Sequence, residues 1–208
     1  MSAASPRPAH LDAGQLPVDR SWFLDVNHLA RSTPWLHGAV LAYASYGVVL
    51  FALLLLAGWW AARRRRDTAA VAAALWAPAG MLIAVALNQP LGASVAERRP
   101  YDVLPHVLVL ASRSTDFSFP SDHAVMAGAV AAGVLVADRR WGLVAVVAAL
   151  LMACARVYVG AHFPGDVLAG LAFGAAVTLL GLLPVRRPLQ LLVERLAGTR
   201  LRVLLVAG

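Results

Sequence analysis

The chain has 208 residues, of which 60% are hydrophobic and 14% charged, whereas an average soluble domain is about 45–50% apolar and about 25% charged. This composition excludes an ordinary soluble domain and predicts one integral membrane domain. The net charge is +7, and the basic side chains are all arginines gathered at the ends of apolar runs, which favours membrane flanking over nucleic-acid binding.

The first 34 residues are predicted to form a disordered start followed by an amphipathic helix. Within residues 18–33, polar side chains lie on the other faces of a predicted helix whose apolar residues, at helical spacing, are Trp22, Phe23, Val26, Leu29 and Ala30. Such a helix either lies in the membrane interface or packs on the bundle as a cap. This stretch lacks the apolar core of a cleavable signal, so the first membrane span is expected to direct insertion.

Apolar runs along the rest of the chain predict five membrane helices, at residues 38–62, 68–87, 122–137, 141–160 and 166–184. The third run falls short of the roughly 20 residues that a bilayer requires, which predicts that its outer end is sunk inside the bundle. We therefore predict an all-α transmembrane bundle of about five to six helices over residues 35–187, followed by a cytoplasmic amphipathic tail at 188–208. The apolar segment 103–111 is too short to span and is expected to be re-entrant or interfacial.

Clusters of arginine predict the orientation in the membrane. Arg63–Arg66, Arg139–Arg140 and Arg186–Arg187 should all be cytoplasmic by the positive-inside rule. Alternation of the spans then places residues 88–121 and 160–165 on the extracytoplasmic face.

The segment Phe119-Pro120-Ser121-Asp122-His123 has the features of a helix start, because Pro and Ser precede an apolar helical run. Ser121 is the predicted N-cap, and Asp122 and His123 fall in the first turn. A helix N-terminus presents unpaired N–H groups and the positive end of the helix dipole, which together bind anions. The alternative is an ordinary capped helix with an incidental histidine.

A second group of polar residues, Arg156, His162 and Asp166, surrounds the turn between the fourth and fifth apolar runs. An ionisable residue inside a membrane span is a candidate functional residue. His162 and Asp166 are close enough in sequence for a carboxylate–imidazole hydrogen bond, which would fix the tautomer and leave the other ring nitrogen to attack. The alternative is a snorkelling arginine beside a polar turn.

Arg99-Pro100 follows the second span, and an arginine can hold phosphate oxygens through two parallel hydrogen bonds. Two histidines, an aspartate and two arginines thus fall on one predicted face of the membrane. Phosphoryl transfer without a metal requires cations that bind phosphate, one histidine that attacks it and another that releases the leaving group. The position of these groups at membrane edges favours a lipid phosphate.

At these residues the chain resembles the type 2 phosphatidic acid phosphatase family, whose signatures are Lys-x6-Arg-Pro, Pro-Ser-Gly-His and Ser-Arg-x5-His-x3-Asp. The third signature is matched by Arg156, His162 and Asp166, with Ala155 in the Ser position. The second is matched by residues 120–123, with an aspartate in the Gly position.

The first signature matches only at Arg99-Pro100, because Gly92 stands where the family has Lys. Arg98 or Arg113 is the candidate to supply the missing charge. The resemblance extends over about residues 35–185, and it is greatest to the bacterial undecaprenyl-diphosphate phosphatases of this family.

The resemblance implies a role for each matched residue. His162 would be the nucleophile that forms a phosphohistidine, Asp166 would orient it, and His123 would protonate the departing oxygen and then activate water. The phosphoryl oxygens would be held by Arg99, Arg156, Ser121, the backbone N–H groups around Asp122, and Arg98. No metal or cofactor is implied.

The implied reaction removes the terminal phosphate of a polyprenyl diphosphate at the outer face of the plasma membrane. The alternative substrates are phosphatidic acid, phosphatidylglycerol phosphate or a prenyl-phosphosugar. The expected partners are therefore the lipid substrate and membrane lipids, and no nucleic acid is expected.

Two other classes of protein fit the same residues less well. A metal-dependent membrane hydrolase or transporter would use His123, His162, Asp122 and Asp166 as ligands, but the neighbouring arginines would repel the metal. A helical membrane protein without catalytic activity is the remaining alternative.

Overall fold

The fold was obtained as a computed structural model, in which residues 17–200 and 202–205 are described. The predicted disordered start lies almost wholly outside these residues. Within them the chain forms helices α1 Pro17–Ser32, α2 His37–Arg64, α3 Thr68–Val95, α4 Pro100–Val103, α5 Asp122–Ala137, α6 Arg139–Tyr158, α7 Pro164–Ala197 and α8 Arg202–Leu205. The described residues contain no β-strand, so the all-α prediction is confirmed.

Four helical stretches are long and apolar enough to cross a membrane, namely Pro34–Arg64, Thr68–Val103, Arg139–Tyr158 and Pro164–Ala197, and the shorter α5 is apolar as well. The first residue of every predicted span lies within two residues of the first residue of an observed helix.

Two helices continue beyond the predicted ends of their spans, α3 to Val95 instead of residue 87 and α7 well past residue 184. Helix α7 continues through Pro184 and Pro188 to Ala197. Its far end is held by packing, because Val193 lies in a buried cluster with Ala62 of α2. Tertiary contacts therefore sustain the helix where proline alone predicts a stop. The division into a membrane domain and a separate cytoplasmic tail remains a prediction.

Helix α5 lies at the centre of the bundle and packs against α2, α3, α6 and α7. Small residues make this possible, because they let helix backbones approach closely. A Cβ on Gly128 would lie 2.2 Å from the carbonyl oxygen of Leu171, and a Cβ on Gly174 would lie 2.0 Å from that of Val125. Side chains at either glycine would push α5 and α7 apart.

The N-terminus of α5 is recessed within the bundle. Its 16 residues span about 24 Å, less than the roughly 30 Å of a bilayer core. Asn88 of α3 donates from Nδ2 to Oδ1 of Asp122 at 2.7 Å. Helix α3 then runs on from Asn88 to Val95, which adds about 10 Å of helix beyond this contact. The predicted bounds of this helix, residues 122–137, match the structure.

The arginine-rich turns gather at the other end of the bundle. Arg65, at the end of α2, donates from Nη1 to Oδ2 of Asp138 in the α5–α6 turn at 2.7 Å. Thr68 at the start of α3 donates to Oε1 of Glu194 near the end of α7 at 3.2 Å. The predicted grouping of arginines at one end is therefore seen, while the orientation of that end in a membrane remains a prediction.

Helix α1 packs against α6 and α7 as a cap on the bundle. Phe23 and Asn27 are buried against it, whereas Trp22 and Leu29 of the predicted apolar face are 55% and 54% exposed. The phenyl rings of Phe23 and Phe163 lie 5.3 Å apart. This placement fits the cap interpretation, with apolar side chains still directed outward.

The segment predicted to be re-entrant or interfacial, residues 103–111, is mostly non-helical, since α4 ends at Val103. It runs beside the α6–α7 turn, where the N–H of Leu110 donates to the carbonyl oxygen of Val159 at 3.0 Å. Gly160 adopts a φ of +79°, and a Cβ there would lie 2.5 Å from the carbonyl oxygen of Leu108. Glycine is therefore required for this close approach.

Candidate active site

Three segments of the chain meet at the end of the bundle opposite the arginine-rich turns. The first follows α3 and carries Arg99 at the N-cap of α4, and the second precedes α5 and carries Ser118 and Ser121. The third is the α6–α7 turn, which carries His162. The N–H of Ser121 donates to the backbone oxygen of Asp166 at 3.2 Å, so the second and third segments are joined directly.

The imidazole of His162 is 2% exposed and has a defined orientation. Its Nδ1 lies 2.9 Å from the carbonyl oxygen of Ser118. A carbonyl oxygen can only accept, so Nδ1 carries the proton and the lone pair is on Nε2. That lone pair faces Nη1 of Arg99 at 3.2 Å. The ring is therefore held as the tautomer in which Nε2 can act as a nucleophile.

Asp166 lies beside the same ring. The predicted hydrogen bond between its carboxylate and His162 is long, and Asp166 makes shorter bonds to other groups. Its Oδ2 is 3.5 Å from Nδ1 of His162 and accepts shorter bonds from the hydroxyl of Ser118 at 2.5 Å and from the N–H of Phe163 at 2.8 Å. The second carboxylate oxygen, Oδ1, is buried and has no partner among the described residues. Ser118, which the sequence analysis did not single out, thus stands between the two predicted partners.

Arg99 is 5% exposed and is fixed by several bonds. Its Nε donates to the backbone oxygen of Asp116 at 3.2 Å, and its Nη2 donates to Oδ1 of Asp116 at 2.9 Å. Its Nη1 donates to the carbonyl oxygen of Ala161 at 3.0 Å and also faces His162. One edge of the guanidinium is therefore held by the protein while Nη1 is aimed at the imidazole.

Asp116 is the counterion that the sequence analysis missed. Burial alone would raise the pKa of Asp116, but hydrogen bonds from Ser114 and the charge of Arg99 lower it below its usual 3.8. The carboxylate is therefore ionised at neutral pH, and it anchors the guanidinium from the exposed side of the site. Sequence offered no signal for this role beyond the position of Asp116 in the same loop.

Arg156 and Ser121 present buried polar atoms that have no partner among the described residues, namely Nε of Arg156 and Oγ of Ser121. Ser121 is the N-cap of α5, as predicted, but its hydroxyl makes no capping bond. Buried polar groups are nearly always hydrogen-bonded in proteins, so both atoms are suited to bind a ligand. Arg156 also lies within electrostatic range of Arg99, so two cations lie near each other.

His123 and Asp122 occupy the first turn of α5, as predicted. His123 is partly exposed and interacts electrostatically with Arg156 and His162, which places it at the same site. Oδ1 of Asp122 accepts bonds from Nδ2 of Asn88 at 2.7 Å and Nε2 of Gln89 at 3.0 Å. These two amides were missed, although side-chain amides inside an apolar span were a usable signal.

Arg98 is not brought to the site. It is exposed, and its Nη2 donates to the backbone oxygen of Asp102 at 2.9 Å. Arg113, the other candidate for the missing lysine charge, lies over the ring of Tyr101 at 5.2 Å. Gly92 is buried, and a Cβ there would lie 3.1 Å from the carbonyl oxygen of Phe119, which leaves little room for a longer side chain. The described site therefore has two guanidinium groups.

The surroundings of His162 favour its neutral form. Burial lowers the pKa of the imidazole below its usual 6.5, and the positive charges of Arg156 and Arg99 act in the same direction, against the hydrogen bond and charge of Asp166. A neutral imidazole retains the lone pair on Nε2 that an attack requires. The site thus keeps Nε2 of His162 unprotonated at neutral pH.

The ligand set of the metal-dependent alternative is not assembled. Among residues 17–200 and 202–205, no three His, Cys, Asp or Glu side chains are grouped closely enough to hold a metal ion. The buried, partnerless Nε of Arg156 instead fits an anion.

Fold and site together describe a membrane-embedded helical bundle with two histidines, an aspartate and two arginines gathered at one end. The profile of the PAP2 superfamily matches residues 73–187, which is more than half of the chain. The chain belongs to the PAP2 superfamily.

Curated relatives with related sequences come from archaea and bacteria. The chain is 32% identical over 100 residues to an undecaprenyl-diphosphatase of Sulfolobus acidocaldarius, covering 48% of each protein. It is 30% identical over 158 residues to the undecaprenyl-diphosphatase BcrC of Bacillus subtilis, covering 76% of this chain and 79% of that relative. The match to the Sulfolobus protein therefore spans about half its length.

The fold also resembles a solved structure, that of a transmembrane PAP2-type phosphatidylglycerolphosphate phosphatase from Bacillus subtilis. The TM-score is 0.56 at 21% identity, over 80% of this chain and 85% of that one. At this identity the likeness shows the fold alone, and it confirms the predicted transmembrane helical bundle.

Proposed function

We propose that this protein is an integral membrane phosphatase that removes the terminal phosphate of a polyprenyl diphosphate, with undecaprenyl diphosphate as the expected substrate. The observation that carries the proposal is the orientation of His162. Its Nδ1 is held by the carbonyl oxygen of Ser118 at 2.9 Å, so the lone pair of Nε2 faces the guanidinium of Arg99 at 3.2 Å. The activities named for the Sulfolobus and Bacillus relatives support the choice of substrate.

In the first step, Nε2 of His162 attacks the terminal phosphorus. The bond between that phosphorus and the bridging oxygen breaks, and the lipid monophosphate leaves with the electron pair. His123 donates a proton to the departing oxygen. The developing imidazolium is stabilised by Asp166, whose Oδ2 lies 3.5 Å from Nδ1.

In the second step, His123, now lacking its proton, takes one from a water molecule. That water attacks the phosphohistidine, the N–P bond breaks, and inorganic phosphate is released with His162 restored. Both steps use the same two histidines, and neither needs an electron donor or acceptor.

Magnitudes indicate that the arginines matter as much as the histidines. Enzymes typically accelerate reactions by ~10⁶–10¹⁷-fold, whereas general acid catalysis contributes only ~10²–10⁴. Most of the remainder must come from positioning and from charge already arranged around the phosphoryl group. We assign this role to Nη1 of Arg99, which contacts His162, and to Nε of Arg156 and Oγ of Ser121, which are buried without a partner among the described residues.

We also propose that the site faces the extracytoplasmic side of the plasma membrane. Support comes from the arginine-rich turns around Arg65 and Asp138, which lie at the end of the bundle opposite to His162. Arginine-rich loops are retained in the cytoplasm. The diphosphate would then enter the recessed site while the prenyl chain remains in the lipid.

The test is phosphate release from undecaprenyl diphosphate by the purified full-length chain in detergent, with EDTA present. We expect the wild type to be active and His162→Ala to lose at least about a thousandfold in rate. Brief reaction with substrate labelled on its terminal phosphate should label the wild-type protein with an acid-labile phosphate. An active His162→Ala protein would overturn the proposed mechanism. A wild-type protein that releases no phosphate would overturn the proposed activity.

A second candidate activity acts on another lipid phosphate, because the chain shares its fold with a phosphatidylglycerolphosphate phosphatase. The groups around the site recognise a phosphoryl group and not a particular lipid. Comparing kcat/KM for undecaprenyl diphosphate, phosphatidic acid, phosphatidylglycerol phosphate and a prenyl-phosphosugar decides between them. If kcat/KM is tenfold or more higher for phosphatidic acid, phosphatidylglycerol phosphate or the prenyl-phosphosugar, polyprenyl diphosphate is rejected as the substrate.

A further inference from the structure

A basic cavity of about 560 Å³ lies at the end of the bundle opposite His162. Arg65, Asp138, Arg139, Arg140 and Leu143 line this basic cavity. Three arginines and one aspartate therefore line a space large enough for a phosphate group. The cavity is separate from the candidate active site and takes no part in the proposed reaction.

The positive charge of the basic cavity is only partly balanced. Asp138 is already occupied, since Oδ2 accepts from Arg65 at 2.7 Å and Oδ1 accepts from the N–H of Trp141 at 3.0 Å. The side chains of Arg139 and Arg140 form no hydrogen bond or ion pair within the part of the chain that the structure describes. Both stand at the N-terminus of α6, where the helix dipole adds to the positive potential.

An apolar groove of about 320 Å³ lies among α5, α6 and α7, so that it shares α6 with the basic cavity. Ala131, Ala132 and Leu135 of α5 form its floor, and its walls include Val146 of α6 and Ala175 of α7. The groove exists because α6 and α7 both pack closely on α5 but touch one another much less. Its small floor residues leave room for an extended hydrocarbon chain.

The basic cavity and the apolar groove are neighbours along α6, which contributes residues to both. Leu143 lines the cavity, while Val146 and Leu150 line the groove. Residues three and seven positions apart share one face of a helix, so these side chains form one stripe. The stripe extends about 10 Å from the first to the last of them. An arginine-lined cavity and an apolar groove thus lie next to each other along one face of α6, which matches the headgroup and the acyl chain of a phospholipid.

We propose that the basic cavity binds the phosphate of an anionic phospholipid from the leaflet at the arginine-rich end, with an acyl chain in the apolar groove. Charge complementarity favours an anionic headgroup, because each arginine near a membrane surface attracts such lipids appreciably. The adjoining groove favours a lipid over a soluble phosphate, since a free anion would leave the apolar channel unused. This proposal does not depend on the substrate of His162.

Native mass spectrometry of the full-length chain in a zwitterionic detergent tests the proposal. We expect phosphatidylglycerol to bind at least tenfold more tightly than phosphatidylcholine. Removing the two unbalanced charges in Arg139→Gln/Arg140→Gln should weaken phosphatidylglycerol binding on the order of tenfold to thirtyfold. Filling the groove with Ala175→Phe should weaken it by a similar factor without any change in charge.

The matched control is Arg64→Gln/Arg66→Gln, which removes the same charge at the same end of the bundle but outside the cavity. Arg64 lies over the ring of Trp60 at 5.6 Å instead. We expect this control to change binding less than threefold. If the control loses as much phosphatidylglycerol binding as the Arg139→Gln/Arg140→Gln variant, the lipid is attracted by the basic surface in general. If phosphatidylglycerol and phosphatidylcholine bind equally tightly, there is no site for the headgroup. Either result would overturn the proposal.

Inorganic phosphate, followed by thermal shift, separates a lipid site from a simple anion site. We expect phosphate to bind weakly and to be unaffected by Ala175→Phe. Phosphate binding as tight as that of phosphatidylglycerol would overturn the lipid assignment. The phosphatase activity and helix content of each variant show whether it is folded. If the double arginine variant does not fold, phosphatidylglycerol binding by Ala175→Phe alone tests the proposal.

Discussion

Ser118 contacts both partners of the proposed catalytic pair, because its hydroxyl donates to Oδ2 of Asp166 at 2.5 Å and its carbonyl oxygen accepts from Nδ1 of His162 at 2.9 Å. The loop before α5 therefore fixes the imidazole and the carboxylate together. Asp166 can act on His162 through this serine as well as directly across 3.5 Å.

Ser118→Ala is expected to lower kcat on the order of tenfold to a hundredfold with little change in KM. The carbonyl bond to His162 survives, but Asp166 loses a buried charge-assisted hydrogen bond of about 1.5–3 kcal/mol. Steady-state kinetics on undecaprenyl diphosphate measure the effect. Ser94→Ala, which removes an exposed hydroxyl bonded to the backbone oxygen of Leu91, is the control. A wild-type kcat in Ser118→Ala would mean that the hydroxyl has no role in catalysis.

Arg156→Gln is expected to lower kcat/KM by about 10²–10³, as expected for removal of one preorganised donor from a transition-state site. Nε of Arg156 is buried and unpaired among the described residues, so it is available to a phosphoryl oxygen. Arg156→Lys should recover less than about a tenth of the lost activity, because an ammonium cannot reproduce the planar fork. Arg186→Gln, on α7 near the arginine-rich end, serves as the control for loss of one charge. Full activity in Arg156→Lys would contradict a bidentate role.

The acid side of the pH–rate profile is expected to depend on the same arginine. Attack requires neutral His162, whose pKa is lowered below 6.5 by burial and also by the charges of Arg156 and Arg99. Activity should therefore be lost as pH falls through a value below 6.5. Removing a positive charge raises this pKa, so Arg156→Gln should move the acid limb of kcat/KM to higher pH. An unmoved limb, or one moved to lower pH, would show that His162 does not control it.

Hydropathy predicted the helices well because a membrane helix must be long and continuously apolar. Helix α5 was predicted with the bounds 122–137 that the structure has, and its burial followed from its short length. The extension of α7 to Ala197 could not be predicted, because it depends on packing of Val193 against distant parts of the chain. Proline signals at Pro184 and Pro188 pointed the other way.

Spacing within a motif predicted contacts between site residues that are close in sequence. It did not predict contacts between loops that are distant in sequence. His162 and Asp166 lie side by side as predicted, and Arg99 reaches them from another segment. Asp116 and Ser118 were missed because their roles come from the folded loop, and a backbone carbonyl carries no signal in sequence. Arg98 was predicted to supply the charge of the family's missing lysine, and its side chain instead donates to the backbone oxygen of Asp102.

Asn27 of α1 should be important for stability, because its side chain pairs with both backbone groups of one residue. Nδ2 donates to the carbonyl oxygen of Leu108 at 2.8 Å, and Oδ1 accepts from the N–H of Leu108 at 3.0 Å. Asn27→Ala leaves both groups without these partners and is expected to cost about 2–4 kcal/mol. The midpoint of thermal unfolding in detergent should fall by roughly 5–15 °C. Ser21→Ala, on an exposed part of the same helix, should change it by less than about 2 °C. An unchanged midpoint in Asn27→Ala would mean that α1 does not hold the 104–111 segment in place.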